Sequence, residues 1–134
     1  MSRSPRAELK HQTLLVKSYN DAGGWARKWN SEWQAGPPDI IAHYGETHFV
    51  EMKHLPDLTR TVKNPMTPKQ REEAKRMIAA GASVYLGVVR GDGPKAEIAY
   101  FDPESDYVDP AKGLWVRRQP GVIYDVRTLM EFLP

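Results

Sequence analysis

The sequence contains no cysteine. This absence excludes disulfide bonds, thiolate zinc sites and cysteine nucleophiles, and it is compatible with a reducing compartment. The chain also lacks any apolar run near the roughly 18 residues that a membrane span requires, and its polar first ten residues do not resemble a secretory signal. We therefore expect a soluble cytoplasmic protein with no membrane partner.

A glycine-rich phosphate loop of the GxxxxGK[ST] type is absent, so the sequence does not support a nucleotide cofactor. Internal repeats, low-complexity tracts and clear domain boundaries are also absent. A chain of 134 residues with an apolar fraction of 40% can build one hydrophobic core. We predict a single domain over residues 1–134.

The net charge of +2 conceals blocks of opposite sign. Residues 1–28 hold six basic side chains against two acidic ones, and residues 53–76 hold seven against three. Between them, residues 29–52 hold four acidic side chains and no lysine or arginine. An acidic segment between two basic ones suits a cation site flanked by phosphate-binding surface, although the mixed surface of any soluble protein can give the same pattern.

The first elements are a helix and a tryptophan-rich segment. Pro5 and helical spacing of apolar residues predict a helix over residues 5–20, which a Gly-Gly pair ends. Trp25, Trp29 and Trp33 then recur every four residues, a spacing that fits one face of a helix or of a strand. We favour a strand that begins near Trp25. The three rings could stack on unpaired bases, but packing in the core is the preferred interpretation.

Alternation and turn residues predict the remaining elements. The predicted strands cover residues 39–44, 47–53, 83–89 and 96–101, and the predicted helices cover 67–80 and 126–133. Residues 102–121 are rich in loops. The order α-β-β-β-α-β-β predicts an α/β (α+β) fold in which helices flank a mixed sheet.

The connection at residues 54–66 is longer than most loops in compact domains. It contains two prolines and several polar residues, and its sequence offers little that could pack. We predict that it is poorly ordered without a ligand and closes over a phosphate backbone through Arg60 and Lys63.

Two carboxylates and one lysine are brought together by the hairpin of residues 39–53. Glu51 and Lys53 are two positions apart on one strand, so their side chains leave the same face. Asp39 begins the preceding strand, and antiparallel pairing places it beside the end of the next. An exposed Glu-x-Lys pair is a common surface feature, so the pair indicates a site only together with Asp39.

This combination suits metal-dependent hydrolysis of a phosphodiester. Mg²⁺ is usually held by one or two carboxylates, with waters and substrate phosphate as further ligands. The cation favours ionisation of a water and neutralises charge on the phosphate, and a lysine can orient the water or stabilise the developing charge.

Four segments follow one another along the chain: GPPDII at 36–41, FVEMK at 49–53, TPKQ at 67–70 and GASVYLGVV at 81–89. In this order they resemble the PD-(D/E)XK nuclease superfamily, and more narrowly its VRR-NUC (virus-type replication-repair nuclease) group, which is common in phages and related to branched-DNA resolvases. The resemblance spans roughly residues 6–90. It implies a restriction-endonuclease-like fold and a metal-dependent DNA nuclease.

The resemblance also implies roles for individual residues. Asp39 and Glu51 would be metal ligands together with the main-chain carbonyl of Met52, and Lys53 would be the catalytic lysine. Gln70 matches a glutamine of the group, although Thr67 and Gln70 also form a capping-box pattern that needs no active-site role. Glu8 falls where the first helix of the family offers an acid to the metal, but it equally fits an exposed helix position.

Other polar residues are weaker candidates. His43, His48 and His54 match no zinc spacing, and packed or exposed positions are expected for them. Six basic residues are plausible phosphate contacts: Arg27, Lys28, Arg60, Lys63, Lys69 and Arg71.

The function that we predict is a Mg²⁺-dependent DNA endonuclease, with Mn²⁺ as a substitute, that acts as a homodimer on branched or Holliday-junction DNA. Two alternatives stay open. One is a monomeric nuclease on single-strand or flap DNA, and the other is a nucleic-acid-binding module that does not cut.

Overall fold

The computed structural model describes residues 5–29, 36–119 and 123–133. Within these ranges the helices are α1 (Pro5–Asp21), α2 (Pro68–Ala79) and α3 (Val126–Glu131). The strands there are β1 (Trp25–Lys28), β2 (Ile40–Tyr44), β3 (Glu46–His54), β4 (Val62–Lys63), β5 (Val84–Arg90), β6 (Glu97–Phe101), β7 (Tyr107–Val108) and β8 (Val116–Arg117).

Six of the strands form one mixed sheet in the order β1-β2-β3-β5-β6-β8. All neighbours in this sheet are antiparallel except β3 and β5, which are parallel. A parallel pair needs a crossover connection, and α2 lies in the one between β3 and β5. The short strands β4 and β7 pair in a separate two-stranded sheet.

Helix α1 covers one face of the sheet. Its apolar side chains Leu14, Leu15 and Tyr19 are buried in a cluster that also contains Ile40 of β2 and Val50 of β3. Helix α3 contributes two further side chains to this cluster. The burial of this face orients every second residue of β3 towards α1, and the residues between them lie on the other face.

Helix α2 packs on that opposite face, against the β5 side of the sheet. Ala74 of α2 lies in a second buried cluster with Val84 and Leu86 of β5. The helix begins at a capping box: the side chain of Thr67 accepts a hydrogen bond from the backbone amide of Gln70, and the Thr67 amide donates to the Gln70 side chain at 2.9 Å. Both interactions satisfy amides that a helix start leaves without partners.

The predicted mixed sheet flanked by helices is confirmed, and the predicted helices and main strands all exist. The predicted order omits β4, β7 and β8, because a two-residue strand carries no readable alternation. The tryptophan-rich strand is also shorter than the repeat suggests, since β1 ends at Lys28.

The expectation that residues 54–66 pack little is wrong. Leu55, Leu58 and Met66 are all buried in the second cluster, and β4 lies within the segment. The Asn64 side chain donates hydrogen bonds to the backbone oxygens of Pro103 and Ser105. These contacts hold the segment on the domain, and they also argue against the predicted disorder.

The core assignment of the tryptophans is wrong for two of the three. Trp25 is 47% exposed and Trp29 is 43% exposed. Between them, only the small side chain of Ala26 reaches the core from β1 itself. Trp33 lies outside the described residues.

Among the described residues, no helix is both long enough and apolar enough to cross a membrane.

Candidate active site

Glu51 and Lys53 lie on β3, on the face opposite α1. Glu51 is 2% exposed and Lys53 is 7% exposed, so β3 carries two charged side chains into the interior of the domain. The Lys53 Nζ atom lies 3.8 Å from Glu51 Oε2. Strand alternation explains their shared face, and the side chain of Met52 between them lies in the α1 cluster instead.

Asp39 is fixed beside this pair by the backbone of β3. The register pairs Ile40 with Val50, which brings the residue before β2 next to Glu51. The backbone amide of Met52 donates a hydrogen bond to Asp39 Oδ2 at 2.9 Å. The predicted placement of Asp39 beside Glu51 is therefore confirmed.

The electrostatics of the cluster disfavour an ionised Glu51. Burial is the largest cause, followed by the neighbouring Asp39, and together they raise the pKa of Glu51 to about 9. Lys53 acts in the opposite direction without restoring the ordinary value, and Glu8 adds a smaller upward contribution. A bound cation would reverse this balance, because it favours the charged form of every carboxylate around it.

The donor set fits a hard cation that keeps part of its water shell. Glu51 Oε1 is buried and has no hydrogen-bond partner among the described residues. Within the same residues no three His, Asp or Glu side chains converge as a complete ligand cage. Two adjacent carboxylates, one with an unpartnered oxygen, match the one or two protein carboxylates that Mg²⁺ commonly takes.

Glu8 reaches the edge of the cluster from α1. Its Oε1 atom accepts a hydrogen bond from the His54 backbone amide at 3.3 Å. This contact places the carboxylate at the end of β3, on the helix side, and its charge contributes to the raised pKa of Glu51. Sequence spacing alone could not bring residues 8 and 54 together, because that contact depends on how α1 crosses the sheet.

Gln70 stands at the start of α2 with its side-chain oxygen engaged in the capping box. The structure thus supports the capping interpretation directly. An active-site role for Gln70 remains a prediction.

The three histidines lie in different environments. His43 is exposed and its Nδ1 atom lies 2.9 Å from the Thr47 hydroxyl. His48 is buried against the Tyr19 hydroxyl, and burial lowers its pKa. His54 is buried with its Nε2 atom 2.8 Å from the Gly91 carbonyl.

The six candidate phosphate contacts are spread around the domain. Arg27, Arg60, Lys63 and Lys69 are exposed, and Lys28 and Arg71 are partly buried. Arg71 donates to Asp106 at 2.9 Å and to the Glu104 carbonyl at 3.1 Å, so part of its guanidinium is already engaged. Lys63 and Arg71 line a common cavity of about 550 Å³.

Sequence reasoning missed the aromatic side of the site. The Trp29 backbone amide donates to the Asp39 carbonyl at 2.7 Å, and the Trp29 ring lies 5.4 Å from the Phe49 ring. The four-residue spacing of the tryptophans was the available indication of a shared aromatic face, since on a strand it keeps Trp25 and Trp29 on one side.

The sequence matches no family model and no curated protein. Its structure is similar to that of Hjc, a Holliday junction resolvase from the archaeal hyperthermophile Archaeoglobus fulgidus, with a TM-score of 0.55 and 20% sequence identity over 81% of this chain and 90% of that chain. A VRR_NUC domain is similar at a TM-score of 0.47 and 25% identity, over 64% of this chain and 85% of that chain. The likeness to the resolvase confirms the predicted restriction-endonuclease-like fold.

Proposed function

We propose that this chain, which shares the fold of a Holliday junction resolvase, is a metal-dependent endonuclease that hydrolyses phosphodiester bonds in branched DNA. The observation that carries the proposal is the buried Glu51 carboxylate beside Asp39, with one oxygen that lacks a partner among the described residues. Such an arrangement is unfavourable by itself and becomes favourable with a cation. The fold likeness supports DNA as the substrate class.

The direct metal ligands in this proposal are Asp39 and Glu51 with the Met52 carbonyl, and Glu8 would contribute through a bridging water because it does not converge with the other two carboxylates. Mg²⁺ is the proposed ion, and Mn²⁺ should substitute for it because both accept oxygen ligands. When bound, the ion would supply Lewis acidity at the phosphate and favour ionisation of a nearby water.

Lys53 acts on the reacting water or phosphate. Hydrolysis forms a bond between the water oxygen and phosphorus, breaks the bond to the leaving oxygen, and returns a proton to that oxygen. A buried ammonium group near Glu51 can orient the water or stabilise negative charge on the phosphate. Asp39 is held by the Met52 amide, so its position does not depend on the substrate.

The proposed enzyme works as a homodimer. Cuts on two opposed strands need two sites, and one chain supplies one. Proposed phosphate contacts are Arg27, Lys28, Arg60, Lys63, Lys69 and Arg71.

A cleavage panel tests the proposal. Single-strand, duplex, flap and four-way DNA are each incubated with the protein in Mg²⁺, in Mn²⁺ and in EDTA. We expect cleavage of the branched substrates with either metal and none in EDTA. Absence of cleavage on every substrate in both metals would contradict the nuclease proposal. Preference for duplex over branched DNA would contradict the assignment of branched DNA as the substrate.

Dimerisation is measured separately by sedimentation with and without a four-way junction. A dimer mass is expected on the junction. A monomer that still makes paired cuts would contradict the proposal that the enzyme acts as a homodimer.

A further inference from the structure

Within the part of the chain that the structure describes, no helix covers the β1 half of the sheet face that carries Glu51 and Lys53. Helix α2 packs over β5 on this face, whereas Trp25 and Arg27 of β1 and His43 of β2, which point the same way, remain exposed. The large side chains Trp25 and Trp29 are 47% and 43% exposed, and Arg27 between them is exposed as well. Two tryptophans with so much surface in water, one on β1 and one directly after it, require an explanation, because aromatic surface is costly to leave unburied.

The strand register connects this open area to the active site. The Trp29 amide bonds to the carbonyl of Asp39, so Trp29 lies directly across from a proposed metal ligand. The Trp29 ring then contacts Phe49, which precedes Glu51 by two positions on the same face of β3. Trp25 pairs with His43 further along the same face. The aromatic area therefore begins at the catalytic carboxylates and extends away from them along β1.

The charge on this area favours nucleic acid over a protein partner. Arg27 forms no ion pair with the residues that the structure describes. An apolar partner surface would have to bury that guanidinium without a counter-charge, which is costly. A nucleic-acid strand offers bases on which the tryptophan rings can stack and phosphates with which the guanidinium can pair.

We propose that Trp25, Arg27 and Trp29 form a tryptophan platform that binds the unpaired bases of a single-stranded DNA segment leading into the active site. This inference rests on the proposed nuclease function and deepens it by naming an unpaired segment as the part of the substrate that is recognised. Trp25 and Trp29 are four residues apart, roughly 13 Å along a strand. The platform therefore offers two rings about 13 Å apart, which separate bases of one unpaired strand can contact. Paired bases keep their faces inside the duplex and cannot use it.

Binding in EDTA tests the platform without cleavage. Wild-type protein is titrated into a fluorescently labelled 20-nucleotide oligo(dT) and into a duplex of equal length. We expect tighter binding of the single strand, and a loss of roughly tenfold or more in that affinity for Trp25→Ala and for Trp29→Ala. Trp29→Phe should retain most of it, since a smaller ring still stacks. Leu114→Ala, which removes an apolar side chain that is 55% exposed, is the matched control and should bind normally.

Two results would overturn the proposal. The first is an unchanged oligo(dT) affinity in the Trp25→Ala/Trp29→Ala double variant with a native circular dichroism spectrum. If that variant fails to fold, the single variants Trp25→Ala, Trp29→Ala and Arg27→Ala replace it, and an unchanged oligo(dT) affinity in all three would equally overturn the proposal. The second is loss of a dimer by sedimentation with no change in oligo(dT) affinity, which would assign this surface to a second copy of the chain. Because binding is measured without metal, a failure of cleavage leaves this test intact.

Discussion

Glu51 is an acidic residue whose charge is costly in the metal-free protein. Its carboxylate is buried next to Asp39, and its folded pKa of about 9 lies above the ordinary value of 4.5. Because an acid with a raised folded pKa loses stability as pH rises from the unfolded value towards the folded one, the cost grows between pH 4.5 and 9.

Glu51→Gln should therefore stabilise the protein in EDTA. We expect a melting temperature at pH 8 that is higher by at least about 3 °C, and a difference that shrinks towards pH 5. In Mn²⁺ the wild type should gain stability and the variant should not, because it lacks one ligand. Thermal unfolding in both buffers provides the measurement. A variant that is less stable than wild type in EDTA at pH 8 would show that the buried charge is not the dominant effect.

In the proposed mechanism, Lys53 takes part in catalysis and does not bind the metal. Lys53→Met should reduce cleavage at least about 100-fold, since it removes a group proposed to act on the reacting water or phosphate. Mn²⁺ affinity by calorimetry should be retained, whereas Asp39→Asn and Glu51→Gln should lose it. Lys112→Met, at an exposed position, is the control. Full cleavage activity in Lys53→Met would show that the lysine has no part in the proposed mechanism.

At the scale of elements, the start of α2 has a structural role that can be separated from any catalytic one. Gln70→Ala should cost about 1 kcal/mol of unfolding free energy by breaking the capping box, and Gln70→Glu should restore it, because glutamate caps equally well. Chemical denaturation and cleavage are measured for both. If Gln70→Glu restores cleavage together with stability, the capping role alone explains the effect of Gln70→Ala on cleavage. Lost cleavage at restored stability would support the active-site role.

The segment between β3 and α2 is held by its apolar side chains. Leu58 is 3% exposed within the second core cluster, so Leu58→Ala should lower the unfolding free energy by roughly 2–5 kcal/mol. Thr59→Ala, at an exposed neighbouring position, should change it little. Equal urea midpoints for both variants would show that the segment is loosely attached.

At the scale of the whole molecule, two buried histidines oppose Glu51 in the response of stability to acid. Burial lowers the pKa of His11 to about 4, and it also lowers the pKa of His48. A histidine with a lowered folded pKa is kept neutral by folding, so stability falls as pH drops below the unfolded value of about 6.5.

His11 should therefore contribute a loss of about 1–2 kcal/mol of unfolding free energy, measured in urea, between pH 7 and pH 5, and His48 a loss in the same direction, against the gain from Glu51. His11→Gln should reduce this loss, whereas His43→Gln, at an exposed position, is the control. An identical pH dependence in wild type and His11→Gln would contradict the prediction.

The sequence was sufficient for the hairpin and for the placement of Asp39, because alternation and turn residues are local signals. It was insufficient for the tryptophans, since a spacing of four places them on one face without saying which face is buried. It was also insufficient for the burial of Leu55 and Leu58. They share a cluster with Val88 of β5 and Val108 of β7, which are distant in sequence, and no local pattern records that contact.

The parallel pairing of β3 and β5 has a consequence for the synthesis of the chain. All residues proposed for the metal site precede residue 54, but β5 begins only at Val84. While the chain leaves the ribosome, β3 can pair with β2 on one edge and has no partner on the other. The strand that carries Glu51 and Lys53 is therefore completed only after α2 and β5 have been translated. Cutting activity should appear late in synthesis, and a chain released before Val84 should be inactive although it contains both carboxylates and the lysine.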